Sequence, residues 1–528
     1  MSSINALDGQ IHISAEVHVL SCARKAVIPL LSIWLIAWIY LSWYAVQDDA
    51  LIHLRYANFL HSLHFITFDG VRPNYGESSL LYVAILALLR SVTVSPLLPH
   101  AVSSFFHLVL FAMCSVTFLR ADRRSSSRVH FLLLALVVVL VAPSAIRWLD
   151  DGMETGLVLA MIAVLVWQVH RLSLRTRVTA LNYCSSVLLG FLLVFLRIEL
   201  AVAAVFASLI LVLARKNEPG WRNLSSWISC LHFVLGAIAA ACAIRLLMHS
   251  FVPDTAVAKS HGYEGLIFPL RSAAIVLGGA LLFGLGMMSL WLVSAVMVWR
   301  DGCLRMASIA ANALFPVVLG VAVLRGQEIQ GARHLVWCFF FSICWNIFEL
   351  GHSARSPHTP RVSRASAILL VICIAVMPFE SHVMYRVLRT RSNTMKTFMS
   401  ENLQLPLQGS LGVARDVGYI SYFTQDKICD VAGLVNGRVA AFMNIDQRLE
   451  ACARLRPSFA FVNAGQAYAI AQVIDVSEWK VCGKYDFGNL QVPDRHFLLV
   501  SPELVAATCM ATGFTPSPAS TSMIESSY

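Results

Sequence analysis

Charge is in short supply in this chain. Only 13% of its 528 residues are Asp, Glu, Lys or Arg, 58% are hydrophobic, and the mean hydropathy is +0.69. A water-soluble protein carries about 25% charged residues, so a soluble globular enzyme is excluded and a multi-span membrane protein is indicated. The thirteen cysteines form no Cys-x-x-Cys and no metal-ligand spacing, and most sit inside apolar runs. No Gly-rich nucleotide fingerprint is present. No basic face with interleaved aromatics exists either, so the formal net charge of +10 does not speak for nucleic acid. Internal repeats and ionisable clusters at mid-span are lacking, which weighs against a transporter or flippase of lipid-linked saccharides, the main alternative for such a chain.

What is present is a succession of membrane-length apolar runs, at about 26–46, 99–119, 129–147, 155–170, 178–196, 200–214, 225–248, 272–298, 306–324, 334–350 and 365–382. The first lacks a small-residue cleavage site and reads as a retained span. A further run from Ser78 to Leu89 is short for crossing. If it stays on one side, the basic loops 120–128, 170–177, 214–222, 299–305 and 352–364 all share the side of Arg24 and Lys25. That is the positive-inside pattern, and it gives eleven spans with Ser78 to Arg90 as a juxtamembrane helix. The same assignment puts Asp48, Asp49, Asp69, Glu77, Asp150, Asp151, Glu154, Asp254, Glu264 and Glu328 outside or at outer span ends. Acids follow the positive-inside rule weakly, so their one-sidedness asks for another cause, and chemistry at the outer surface supplies one.

The expected organisation is a cytoplasmic tail (1–25), an all-α polytopic membrane domain (26–385), a small α/β domain (386–511) and a disordered end (512–528). An odd span count places the α/β domain outside the cell membrane. Strands are expected at 411–414, 460–462 and 497–500. Cys429, Cys452, Cys482 and Cys509 would then lie in an oxidising compartment and form one or two disulfides of undetermined pairing.

Residues 47–78 are too polar for lipid, and they open with two adjacent carboxylates, Asp48 and Asp49, just past the first span. Ile52, Tyr56, Phe59 and Leu60 then recur at helical spacing, which suits a short amphipathic helix on the bilayer surface, with Arg55 about two turns beyond Asp48. A carboxylate at the dry rim of a membrane can be tuned into a general base, although the pair equally suits a plain helix start. Asp150, Asp151 and Glu154 form a second acidic site after the third span, able to hold hydroxyls or a divalent cation, or simply a solvated turn. Arg197 and Glu199 interrupt an apolar stretch, where a charged pair most simply satisfies itself. Histidines 53, 61, 64, 100 and 107 have no spacing that supports zinc.

These segments carry a resemblance. Asp48-Asp49-Ala50, Ile52, Arg55-Tyr56-Ala57 and Leu60, followed by an aromatic-rich loop and Gly76-Glu77-Ser78-Ser79, resemble the first external loop of the GT-C glycosyltransferases. These polytopic enzymes take a sugar from a polyprenyl-phosphate carrier, and the likeness runs toward the bacterial arabinofuranosyltransferase-like branch. Gly152-Met153-Glu154-Thr155 is similar to their Gly-Leu-Glu-Thr, and Pro253-Asp254-Thr255 with Lys259 to their Pro-Asn-Thr-x-x-x-Lys, with Asp254 in place of Asn. Arg197-Ile198-Glu199 resembles an Arg-Pro-Glu turn without its proline. Asp416-Val417-Gly418-Tyr419 and Asp430-x-x-Gly433-Leu434 resemble the element that follows the membrane domain. The family's proline and tryptophan are missing after Ser79.

The resemblance implies a bacterial inner-membrane enzyme that moves a sugar from a polyprenyl-phosphate donor to a glycan, lipid or protein acceptor on the extracytoplasmic side. Asp48 would be the base and Asp49 its helper, an order the residues alone do not fix. Arg55, Tyr56, Glu77, Asp150, Asp151, Glu154 and Asp254 would contact substrate, with Lys259 and Arg333 on the donor phosphate. No metal ligands are assigned, and a divalent cation is left open. A structural membrane protein whose outer domain binds a partner is the remaining alternative.

Overall fold

The computed structural model describes residues 26–71, 73–121, 127–175, 179–215, 230–261, 286–300, 306–324, 336–353, 364–402, 407, 410–424, 427–463, 470–487 and 495–518. The protein is a helical membrane body joined to a small sheet domain, as its composition implies. Each apolar run of the sequence carries a helix. Those at 225–248, 272–298 and 334–350 begin in residues outside the described ones. Among the described residues, Leu98–Arg120, Thr155–Ser173 and Ile198–Arg215 are long and apolar enough to cross a bilayer, and the bent pair Arg128–Leu140 and Pro143–Leu149 makes a fourth if it is one span. In hydrocarbon every backbone group must be satisfied within its own helix, so runs of this kind make a multi-pass membrane protein.

The bent pair breaks where Pro143 opens the second helix, a residue with no N–H to give the preceding turn. Its axis turns by 67°. The turn delivers Asp150 to Glu154 to one end of the body.

Two helices cross with almost no gap. A Cβ on Gly236, in His232–Met248, would lie 2.0 Å from the Val187 carbonyl, and one on Gly190, in Ala180–Leu196, 2.2 Å from that of Phe233. Small residues let helix backbones approach in lipid, where packing rather than water drives association. Gly236→Leu is therefore expected to cost at least about 1–3 kcal/mol by overpacking. A lowered thermal unfolding midpoint in detergent is the check.

Helix Arg364–Asn402 continues without a break through residues 385–386 and carries the chain into the sheet domain. Phe398 near its end packs against Phe461 at 5.4 Å, Tyr485 at 4.9 Å and Phe423 at 5.4 Å. The sheet has six strands in the order β2-β1-β3-β5-β4-β6. These are β1 Leu411–Ala414, β2 Lys427–Asp430, β3 Phe459–Asn463, β4 Lys480–Asp486, β5 Arg495–Val500 and β6 Ser517–Pro518. β1 pairs in parallel with β2 and β3, and the remaining pairings are antiparallel. Two disulfides, Cys429–Cys452 and Cys482–Cys509, settle the pairing that spacing left open.

The sheet domain sits on the first loop of the body. Helix Val417–Thr424 packs against helix Asp48–Leu63, whose residues Ala50 to Ala57 are all buried. A helix lying on the bilayer surface, the expectation from its periodicity, is thus replaced by one enclosed between the body and the sheet domain. The reason is visible in its polar members: His53 and Arg55 face protein partners instead of water.

Candidate active site

The site grows from the start of helix Asp48–Leu63. Gln47 is its N-cap, and Asp48 and Asp49 fill the first turn, where backbone N–H groups favour negative charge. Asp48 Oδ1 accepts the N–H of Tyr419 at 2.7 Å. Gly418 lies so close that a Cβ would stand 2.0 Å from the Asp48 carbonyl oxygen. Burial, with Asp416 and Asp49 nearby, raises the Asp48 carboxyl well above the usual carboxylate range, and the Tyr419 and Gly418 amides only partly oppose this.

The second acidic turn lies beside it. Gln47 donates its N–H to the Asp151 carbonyl at 3.0 Å. Gly152 has φ +89°, and a Cβ there would meet Ala50 Cβ at 2.9 Å, so this position requires glycine both for its conformation and for its contact. Its carbonyl accepts from Tyr82 Oη at 2.9 Å. Asp151 Oδ1 takes the Met153 N–H at 3.0 Å. Asp150 Oδ2 lies 3.1 Å from His107 Nδ1, while its other oxygen is buried with no hydrogen-bond partner among the described residues. A buried carboxylate oxygen in that state is a place for a ligand hydroxyl or an ordered water.

Beneath these acids runs a buried chain of alternating charge. Glu77 Oε2 meets His53 Nδ1 at 2.5 Å, and His53 Nε2 lies 3.2 Å from Glu154 Oε2. Glu154 Oε1 accepts from Arg197 Nη1, whose Nε reaches Glu199 Oε1 at 2.5 Å. Glu77 also takes the Ser79 N–H at 2.7 Å, fixing the turn into the next helix. His53, which metal-ligand spacing gave no role, is thus a central link. Burial alone would strip its proton, but Glu77 and Glu154 outweigh it and push the imidazole up to about 10.

A pH dependence follows. The folded value lies above the ordinary histidine value of 6.5, so this pairing stabilises fully below about pH 6.5 and is lost as pH rises through about 10. The unfolding midpoint is expected to fall between pH 7 and 10, and His53→Gln, starting lower, to show a smaller fall.

The remaining sequence candidates divide. Arg55 gives Nε to the Phe68 carbonyl at 2.8 Å and Nη1 to that of Ser421, tying the loop to the sheet domain. Tyr56, fully buried, donates to Asn74 Oδ1 at 2.5 Å, and Asn74 Nδ2 donates to the Val435 carbonyl at 3.1 Å. Asp254 opens helix Asp254–His261, joins the loop through its N–H to the Tyr75 carbonyl at 2.6 Å, and accepts Arg438 Nη1 at 3.3 Å. Burial raises its carboxyl and Arg438 opposes this. The Lys259 backbone lies in the same helix; its side chain and Arg333, like Glu264 and Glu328, lie outside the described residues. Among the described residues no group of three or more His, Cys, Asp or Glu is arranged to hold a metal ion.

Sequence reading missed Gly418 and Tyr419 as site residues. Their motif was visible at 416–419, but nothing local shows that its amides meet a carboxylate more than 350 residues away.

A polytopic helical body whose first loop is covered by a C-terminal sheet domain is the architecture that other proteins can be set beside. ArnT from Cupriavidus metallidurans, solved bound to undecaprenyl phosphate, has a similar fold: the TM-score is 0.51 with 9% identity, over 90% of this chain and 98% of that one. The GT-C likeness read from the loops is thus matched by a fold likeness over most of the chain. Residues 383–500 match DUF8728, a domain of unknown function. Comparison with curated proteins gives no match.

Proposed function

We propose that the protein is an integral-membrane glycosyltransferase that moves a sugar from a polyprenyl-phosphate donor to a hydroxyl of an extracytoplasmic glycan, lipid or protein, with Asp48 as general base. The observation that carries this reading is Asp48 itself. It is a partly enclosed carboxyl of raised proton affinity, held by the Tyr419 amide in the first turn of the helix that follows the first apolar run, in a fold similar to that of ArnT. ArnT was solved with a polyprenyl phosphate, undecaprenyl phosphate, bound.

In the proposed step Asp48 takes the acceptor hydroxyl proton as the oxygen attacks the anomeric carbon. The bond from that carbon to the phosphate oxygen breaks with inversion, and polyprenyl phosphate leaves. A base works best when its proton affinity lies near the working pH, and enclosure moves that of Asp48 upward from the usual carboxylate range. Asp49 orients Asp48 or the acceptor, and Asp150 and Asp151 offer oxygens to acceptor hydroxyls. Lys259 and Arg333 are assigned to the phosphate, where negative charge builds in the transition state. We place Glu77 and Glu154 in the supporting chain with His53 and Arg197, because both spend their charge there. Arg55 and Tyr56 likewise shape the loop.

The positive-inside pattern supports an eleven-span arrangement with residues 47–78 and the sheet domain outside a bacterial inner membrane. The two disulfides fit an oxidising side. Mass analysis of surface glycans in a deletion strain tests the reading. Wild-type protein should restore a missing sugar, and an Asp48→Asn copy should not; equal restoration by both would overturn it.

A further inference from the structure

One pair of charged groups near Asp48 has no place in the step above, and it belongs to the sheet domain. Asp416 follows β1 and directly precedes helix Val417–Thr424, whose first amides are the ones that meet Asp48. Its carboxylate is ion-paired with His496 Nε2 on β5. His496 is itself 1% exposed, stacked on Phe461 at 5.2 Å and edge-on to Phe487 at 5.3 Å, so the pair is held by the core of the sheet domain. Phe487 in turn stacks on Tyr419 at 4.2 Å, and Tyr419 Oη donates to the Val46 carbonyl at 3.3 Å. One rigid unit therefore carries both the amide that holds Asp48 and the charge that stands beside it.

Resting on the assignment of Asp48 as base, we propose that the Asp416–His496 pair is a positioning element of the catalytic centre, acting through Asp48, so that the base is complete only when the sheet domain is docked. Among the described residues the charged groups that bear most on Asp48 are Asp49, from its own helix, and Asp416, from the sheet domain, which has His496 as its ion-pair partner and Arg415 as a charged neighbour. Burial would raise the Asp416 carboxyl, but His496 and Arg415 hold it below the usual range, so it stands as an anion at neutral pH. An anion close to a second carboxyl disfavours ionisation of the second. His496 tempers that field without abolishing it.

The test is a pH titration of the full-length protein in lipid nanodiscs, followed by infrared difference spectroscopy. The carboxyl stretch that disappears in Asp48→Asn reports Asp48. Asp416→Asn removes the anion and is expected to lower the Asp48 midpoint; His496→Gln leaves the anion uncompensated and is expected to raise it, each by about 0.5–1 pH unit. Opposite shifts support the proposal, because a general loosening of the domain would move both the same way. An unmoved band in both variants, or shifts of one sign, overturns it. Thermal unfolding is recorded in parallel, and if Asp416→Asn does not fold, the sign of the His496→Gln shift decides. The readout uses no substrate, so it stands apart from the glycan comparison: that result can fail while the coupling holds, and the reverse.

Discussion

Asp48→Asn is expected to lower sugar transfer by about 10²–10⁴-fold, the range a positioned general base contributes, while leaving the protein at least as heat-stable as the wild type. Both halves come from the same environment. Enclosure beside Asp416 and Asp49 raises the Asp48 carboxyl, so the folded state binds its proton more tightly than the unfolded chain does. A group raised in this way favours the fold while protonated, and that contribution is lost as pH rises through its folded value. Asparagine keeps an oxygen for the Tyr419 amide and never ionises, so it removes the loss at neutral and alkaline pH. An inactive variant with an unchanged or raised unfolding midpoint is the outcome to look for. Residual transfer near wild type would remove Asp48 from the chemistry, and a collapsed unfolding midpoint would make it a structural residue.

The largest effect on stability is expected from Arg197→Met. Arg197 is the cation between Glu154, which is fully buried, and Glu199. Removing one partner of a buried ion pair costs about 3–5 kcal/mol, because the other is left as an uncompensated charge. His53 compensates Glu154 only from the opposite side, and it already serves Glu77. The double variant Arg197→Met with Glu154→Gln should recover part of the loss, since it withdraws the stranded charge as well. Unfolding midpoints of the two single variants and the double variant measure this coupling. Additive losses would mean that the pair is not a unit. Transfer should fall with stability here, because Glu154 belongs to the turn that also carries Gly152 against Ala50.

Much of the architecture was legible because the signals are local. Apolar length marked the helices, and the three expected strands appear as β1, β3 and β5, with β1 covering the whole of the expected 411–414. The acidic character of residues 48–49 and 150–154 was equally plain, and the structure places the two segments side by side through Gln47 and Asp151. What spacing could not supply was partnership. Glu77 and Glu154 look like any exposed acids in a polar loop until His53 and Arg197 are folded against them. A lone histidine in such a loop suggests a metal or nothing, and here it is a clamped cation. Arg55 looked suited to a place alongside Asp48, and both meet helix Val417–Thr424, but its partner there, the Ser421 carbonyl, could not be read from spacing because it belongs to the sheet domain that closes over the helix. The same closure explains why an amphipathic pattern was read as a surface helix: the apolar stripe was visible, and the domain covering the polar side was not.

The most direct test of the central claim is the lipid extract of cells that carry only the Asp48→Asn chain. If the protein consumes a polyprenyl-phosphate-linked sugar, mass spectrometry should show that lipid accumulating above its wild-type level, together with loss of the matching sugar from surface glycans. Unchanged polyprenyl-phosphate sugars with intact surface glycans would contradict it.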